Sequence, residues 1–154
     1  MAHMRLGKIV APALLATCLV LLVACSGAHD ASLLRPTPRT PIALSAKERE
    51  SIRAGMHVYL ECIGGIIDGL STNRMGDVAR NAKRAGTDMI QGVSAADAVS
   101  LPPDFLLLAL DTHLKFDAMA QEASQHGSKT AVLQQLGAVL DNCNACHAMY
   151  RFPR

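Results

Sequence analysis

Leu140-Asp141-Asn142-Cys143-Asn144-Ala145-Cys146-His147-Ala148-Met149-Tyr150-Arg151 runs near the C-terminal end of the sequence. Two cysteines three apart, with a histidine directly after the second, fit three chemistries: thioether attachment of haem, a redox dithiol, or half of a zinc site. The same stretch fixes its own local structure. Leu133, Leu136, Leu140, Cys143, His147 and Tyr150 recur at helical spacing, so the motif lies near the end of an amphipathic helix that Ser128 caps.

Three further helices precede it. Ser45-Ala46-Lys47-Glu48 is a capping box, in which a hydroxyl and a carboxylate satisfy each other's free backbone donors. Beyond it Ile52, Met56, Leu60, Ile63, Ile67 and Leu70 form an apolar stripe, and the first helix runs to about Ser71. Gly64, Gly65 and Gly69 are costly there, at about 1 kcal/mol each, so they predict close approach of a neighbouring helix or a ligand. A second helix follows Ser71-Thr72-Asn73, with Met75, Val78, Ala82, Ala85 and Met89 on one side. Gln91 to Leu101 reads as a loop. Pro102-Pro103-Asp104 opens a third helix, proline being welcome in a first turn and an acid favoured by the dipole there. Leu106, Leu110, His113, Phe116 and Ala120 share its face, and Gln125-His126-Gly127 ends it. No segment alternates with a strand period. Short links join the first helix to the second and the third to the fourth. The expected fold is therefore all-α, an antiparallel up-down-up-down four-helix bundle spanning 45–154.

The other end of the chain reads as an export signal. Arg5 and Lys8 supply a basic start and Ile9 to Ala24 is almost wholly apolar, too short for a comfortable membrane span. Leu22-Val23-Ala24-Cys25 resembles a lipobox, which makes 1–24 a signal peptide and Cys25 the lipidated residue after cleavage. Ser26 after it lacks the aspartate that favours inner-membrane retention, a lean toward the outer membrane. Residues 25–44, with Pro36, Pro38 and Pro41, read as a flexible tether. Of 15 basic residues, Arg5 and Lys8 leave with the signal, so the mature part carries 13 against 13 acidic ones. That balance gives no footprint for nucleic acid. Two tyrosines, three phenylalanines and no tryptophan make a poor core, which a buried flat cofactor would fill out.

Within this frame the three chemistries separate. A structural zinc site needs a second Cys or His pair, and the sequence has none. A thioredoxin-like dithiol belongs near a βαβ unit, with its cysteines at a helix start. Haem fits best: Cys143 and Cys146 would bond its two vinyl groups as thioethers and His147 would supply an axial nitrogen. Cys143 and His147, four apart, share a helix face. Export agrees, because haem of this kind is attached outside the cytoplasm.

The run Cys143-x-x-Cys146-His147-x-x-Tyr150-Arg151, at the end of the fourth helix of a bundle whose first helix carries glycines, resembles class II c-type cytochromes, the cytochrome c-prime family and its low-spin relatives. The resemblance covers Ser45 to Arg151. It implies one covalent haem inside the bundle, with Cys143 and Cys146 as attachments and His147 as proximal ligand. It also implies that Arg151 sits near the haem edge or a propionate. Low-spin members use a methionine from the first half of the first helix, and Met56 lies there. At 1.5 Å per residue Met56 is about 21 Å from the end of its helix and His147 about 28 Å from the start of its own, which are compatible heights. His57 is the rival ligand. It lies one residue off the apolar stripe, where it would pair with Glu61 on the surface.

With Met56 bound, the resemblance implies single-electron transfer between redox partner proteins, confined to a membrane surface by the lipid on Cys25 in a periplasmic setting, with no catalysis. Without it, Ile52, Met56 and Leu60 would lid a five-coordinate iron that binds nitric oxide or carbon monoxide. A third reading is a haem-stabilised structural subunit. His113 reads as a hydrogen-bonded core residue or a proton-linked tuning group, and Cys62 as a small buried hydrophobe or a dimer disulfide. Met75, Met89, Met119 and Met149 are scattered as packing. Gly65-x-x-x-Gly69 would serve either a homodimer contact or the packing of the first helix on the second.

Overall fold

The computed structural model describes residues 38–91 and 101–153. The expected signal and lipobox (1–24), Cys25, the spacer up to residue 37 and residues 92–100 of the loop lie outside the described residues. The elements run β1 (Thr40–Pro41), α1 (Ala46–Ser71), α2 (Met75–Ala85), a 3-10 turn (Thr87–Ile90), α3 (Pro103–Gln125), α4 (Lys129–Met149) and β2 (Tyr150–Arg151). The described residues are all-α apart from these two short strands. Among the described residues no helix is long and apolar enough to cross a membrane.

Local chemistry sets each helix end. Ser45 Oγ accepts the Glu48 N–H at 3.2 Å while Glu48 Oε2 accepts the Ser45 N–H at 2.6 Å, completing the capping box. Past α1, Asn73 takes φ 58°, a left-handed conformation that asparagine tolerates, and turns the chain into α2. Gly127, at φ 66°, ends α3 with its N–H on the Glu122 carbonyl, and Ser128 Oγ caps α4 at the Ala131 N–H.

Consecutive helices pack on each other: α1 on α2, α2 on α3, α3 on α4. The main core takes Cys62 and Ile66 from α1, Val78 and Ala82 from α2, Phe116 and Met119 from α3, and Val132 and Val139 from α4. Close approach of α1 and α2 is made by glycine. A Cβ on Gly65 would stand 2.5 Å from the Asn81 side chain, and one on Gly69 2.8 Å from Val78 Cγ2. The Gly65-x-x-x-Gly69 pair is thus used against α2 of the same chain.

That contact rotates α1 relative to the expected stripe. Its buried residues are Cys62, Ile66, Gly69 and Leu70, whereas Leu60 and Ile67 are 67 % and 53 % exposed. The apolar arc of α1 is wider than one stripe, and the glycines choose which part faces the core. The same shift occurs in α4: Val132, Leu136, Val139 and Asn142 are buried, while Leu133 and Leu140 remain 55 % and 42 % exposed.

The spacer differs from the expected flexible tether over its last residues. β1 pairs in parallel with β2, Thr40 opposite Tyr150 and Pro41 opposite Arg151. The Ile42 N–H donates to the Arg151 carbonyl at 2.9 Å. Ile42 and Leu44 are buried with Phe105 in a second small core that Ile52, Leu101, Cys146 and Tyr150 complete. The alternation Ile42-x-Leu44 puts both side chains on one side of an extended segment, which burial then holds down.

Candidate functional site

Cys143 and Cys146 lie in the last two turns of α4, both half-buried. Burial pushes both thiols up from their ordinary value, and for Cys146 the neighbouring Cys143 adds to it. A helix C-terminus carries partial negative charge, which also disfavours thiolate. Redox dithiols need the reverse, a lowered pKa at a helix start. This environment therefore argues against the dithiol. A structural zinc site lacks donors as well: among the described residues no three His, Cys, Asp or Glu side chains converge.

The flanks of α1 and α4 share a property. At 100° per residue, Met56, Leu60, Ile63 and Ile67 all lie within about 40° of the direction opposite Gly65, so they form the side of α1 turned from α2. By the same rule Leu133, Leu140 and His147 lie within about 40° of the direction opposite Asn142, which is the side of α4 turned from α3. Asn142 faces α3 through its bonds to Asp111 and Thr112. Each flank carries large apolar side chains that are partly bare: Leu60, Ile67, Leu133 and Leu140 are all exposed, Met56 and Ile63 half-buried.

Both helices contribute to the same two cores near the motif end. Tyr59 and Cys143 both pack on the main core, and Ile52 and Cys146 both pack on the small one. Burial, then the nearby Cys143 and Cys146, push the Tyr59 hydroxyl well above its ordinary value. Tyr59 stacks on Phe116 with ring centroids 5.7 Å apart and 12° between planes. Its hydroxyl lies 2.8 Å from His113 Nε2. His113 is buried, with Nδ1 2.9 Å from the Ala85 carbonyl oxygen and 3.0 Å from that of Gly86. The histidine is thus a hydrogen-bonded interior group tying α1 and α3 to the end of α2.

His147 is exposed, and its carbonyl accepts from Arg39 Nη1 at 3.5 Å. Arg151 is occupied by the N-terminal segment: its Nε donates to the Arg39 carbonyl at 3.3 Å. His57 is exposed as expected, but Glu61 pairs with Arg84 of α2 at 2.5 Å instead of with His57. Cys62 is fully buried, its thiol pushed up chiefly by that burial, as an inert small hydrophobe would be. Cys25 lies outside the described residues.

Four residues near the motif carry structural contacts that periodicity did not single out: Arg39, Ile42, Tyr59 and Asn142. The available signals were slight. Tyr59 is the one aromatic residue of α1, and Asn142 is a polar residue on an otherwise apolar stripe.

Comparison with protein-family models, with curated proteins and with solved structures found no match.

Proposed function

We propose that this protein is a haem c carrier of single electrons, with the four helices in an antiparallel up-down-up-down bundle and the haem in the seam between α1 and α4. The observation that carries the reading is the pair of bare apolar flanks. Large side chains on α1 (Leu60, Ile67) and α4 (Leu133, Leu140) stay exposed on the sides turned from their packed neighbours, beside half-buried Cys143 and Met56. A flat apolar group would cover them, and burial of such surface is favourable by roughly 25 cal/mol per Å². The residues present therefore fit the group.

Cys143 and Cys146 would hold it as thioethers, and His147 and Met56 would ligate its iron. When bound, haem supplies a reversible ferric–ferrous couple whose potential a methionine ligand raises. The chain's own residues do the rest. Tyr59 and Phe116 wall the interior side, and Ile52, Leu44 and Ile42 close the motif end against water. A lipid on Cys25 would hold the domain at a membrane surface facing the periplasm, where tethering raises the effective concentration of redox partner proteins.

The full-length chain, produced with haem attachment and export, should show a low-spin ferric spectrum with a methionine–iron charge-transfer band that disappears in Met56→Ala. A high-spin spectrum that shifts on adding carbon monoxide would instead assign a five-coordinate gas-binding haem. Absence of covalent haem from the exported chain would refute the reading. Mass spectrometry of membrane-extracted protein should find an acylated Cys25.

A further inference from the structure

Asn142 directly precedes Cys143 and is buried on the same side of α4 as Val132 and Val139. A buried amide is costly unless its groups are met, and here α3 meets them. Asn142 Nδ2 donates to Asp111 Oδ2 at 2.7 Å and to Thr112 Oγ1 at 3.2 Å, while Oδ1 accepts from Lys115 Nζ at 3.0 Å. Thr112 donates its own proton to the Leu108 carbonyl at 2.8 Å, so it faces Asn142 as an acceptor. A flipped amide would set its oxygen against a carboxylate and its NH2 against an ammonium. One orientation alone satisfies all three partners.

Apolar packing discriminates poorly between rotations of α4, because Leu133 and Leu140 continue the apolar arc beyond the buried residues. The amide discriminates sharply. A turn of α4 by one residue is 100° and moves Asn142 out of reach of its partners, which all sit within one turn of α3. Single buried asparagines fix register between helices in this way elsewhere. Lys115, then Asn142, hold the Asp111 carboxyl below its usual range, so the acceptor stays charged near neutral pH.

We infer that Asn142 is a positioning residue, a polar key that sets the rotation and height of α4 and thereby aims Cys143 and His147 toward the apolar flank. The inference rests on the proposed haem reading for its purpose, though not for its test. Asn142→Leu combined with Thr112→Val replaces both buried partners by apolar groups of similar shape, a change close to neutral for stability. In the full-length chain prepared without haem, the double variant should melt like the parent while iodoacetamide alkylates Cys143 about tenfold faster, with buried Cys62 as the internal standard. In the haem-loaded chain the low-spin resonance should split into more than one population. Lys115→Met, which removes the partner of Oδ1 together with the ion-pair partner of Asp111, should accelerate Cys143 severalfold should the double variant not fold. Unchanged alkylation of Cys143 together with a single resonance would overturn the inference. A chain that carries no haem would defeat the proposed function and still leave alkylation to decide the role of Asn142.

Discussion

Tyr59 Oη and His113 Nε2 stand 2.8 Å apart, and the other ring nitrogen of His113 lies within 3.0 Å of the Ala85 and Gly86 carbonyl oxygens. Nδ1 lies closest to the two carbonyl oxygens, with the Tyr59 oxygen 3.3 Å away, so we assign the proton to Nδ1, which leaves Nε2 to accept from the tyrosine. Removing the hydroxyl strands a buried acceptor. Tyr59→Phe should cost about 1–2 kcal/mol, read as a lower denaturant midpoint at unchanged m-value. Tyr59→Phe and His113→Leu together should cost less than the sum of the two, because the partners vanish as a pair. Strict additivity would show the contact contributes nothing.

Asp117 sets a pH dependence with a definite sign. Burial pushes its carboxyl up, but the Thr87 hydroxyl and amide, both bonded to Oδ2, and Lys83 outweigh it, so the net shift is downward. The folded chain therefore binds this proton less readily than the unfolded chain. Its stability contribution is present above the unfolded value near 3.8 and fades as pH falls through the lower folded value. Asp117→Asn should be less stable near neutral pH by about 1 kcal/mol, and its stability should fall less steeply below pH 4. Parallel acid-denaturation curves for the two proteins would rule this out.

Glycines in α1 should respond with opposite signs. A Cβ on Gly64 would meet nothing within 4 Å, whereas one on Gly69 would meet Val78 Cγ2 at 2.8 Å and the Arg74 carbonyl at 3.1 Å. Gly64→Ala should stabilise by roughly 0.5–1 kcal/mol through helix propensity. Gly69→Ala should destabilise by about 1–3 kcal/mol through overpacking. Chemical denaturation of both checks the pair, and equal signs would mean that α1 does not approach α2 as closely as described.

These glycines also show what the sequence could and could not reveal. Helix ends were legible because each carries its own chemistry: Ser45 with Glu48, Asn73, Pro103, Gly127 and Ser128. The rotation of α1 was not, since apolar residues span an arc from Cys62 to Leu60 and periodicity weights them alike. Only the approach through Gly65 and Gly69 decides between Cys62–Ile66 and Leu60–Ile67. Ile42 and Leu44 stood among prolines in a run too short to declare a strand, and their burial depends on Phe105, more than sixty residues away. The Cys143-x-x-Cys146-His147 motif stands out from spacing alone, as a candidate. The groups that aim and enclose them, Asn142, Tyr59 and Ile42, act through tertiary contacts that no local pattern encodes.

Ile42 is 2 % exposed and fastens the N-terminal segment beneath Cys146. Truncating it leaves a cavity in a small core with little capacity to rearrange. Ile42→Ala should cost about 2–4 kcal/mol. In the haem-free chain it should also expose Cys146 to alkylation while leaving Cys62, in the other core, protected. Equal acceleration of both cysteines would mean that the segment stabilises the whole chain without a special relation to the motif.

The bare flanks of α1 and α4 make a last prediction that separates a haem seam from ordinary exposed surface. Leu60, Ile67, Leu133 and Leu140 would form a contiguous apolar strip if a planar group bridges the two helices, and such strips bind hydrophobic dyes. The haem-free chain should therefore enhance the fluorescence of an anilinonaphthalene dye, and covalent haem should abolish most of that enhancement. Leu140→Lys, at a position already 42 % exposed, should weaken dye binding in the haem-free chain with a change in stability of no more than about 0.5 kcal/mol. In the haem-loaded chain the same substitution would set an ammonium against a buried apolar face, and stability should fall by about 1–3 kcal/mol. A Leu140→Lys penalty that is the same with and without haem would place Leu140 outside the seam and return its exposure to the commonplace apolar surface of any folded chain.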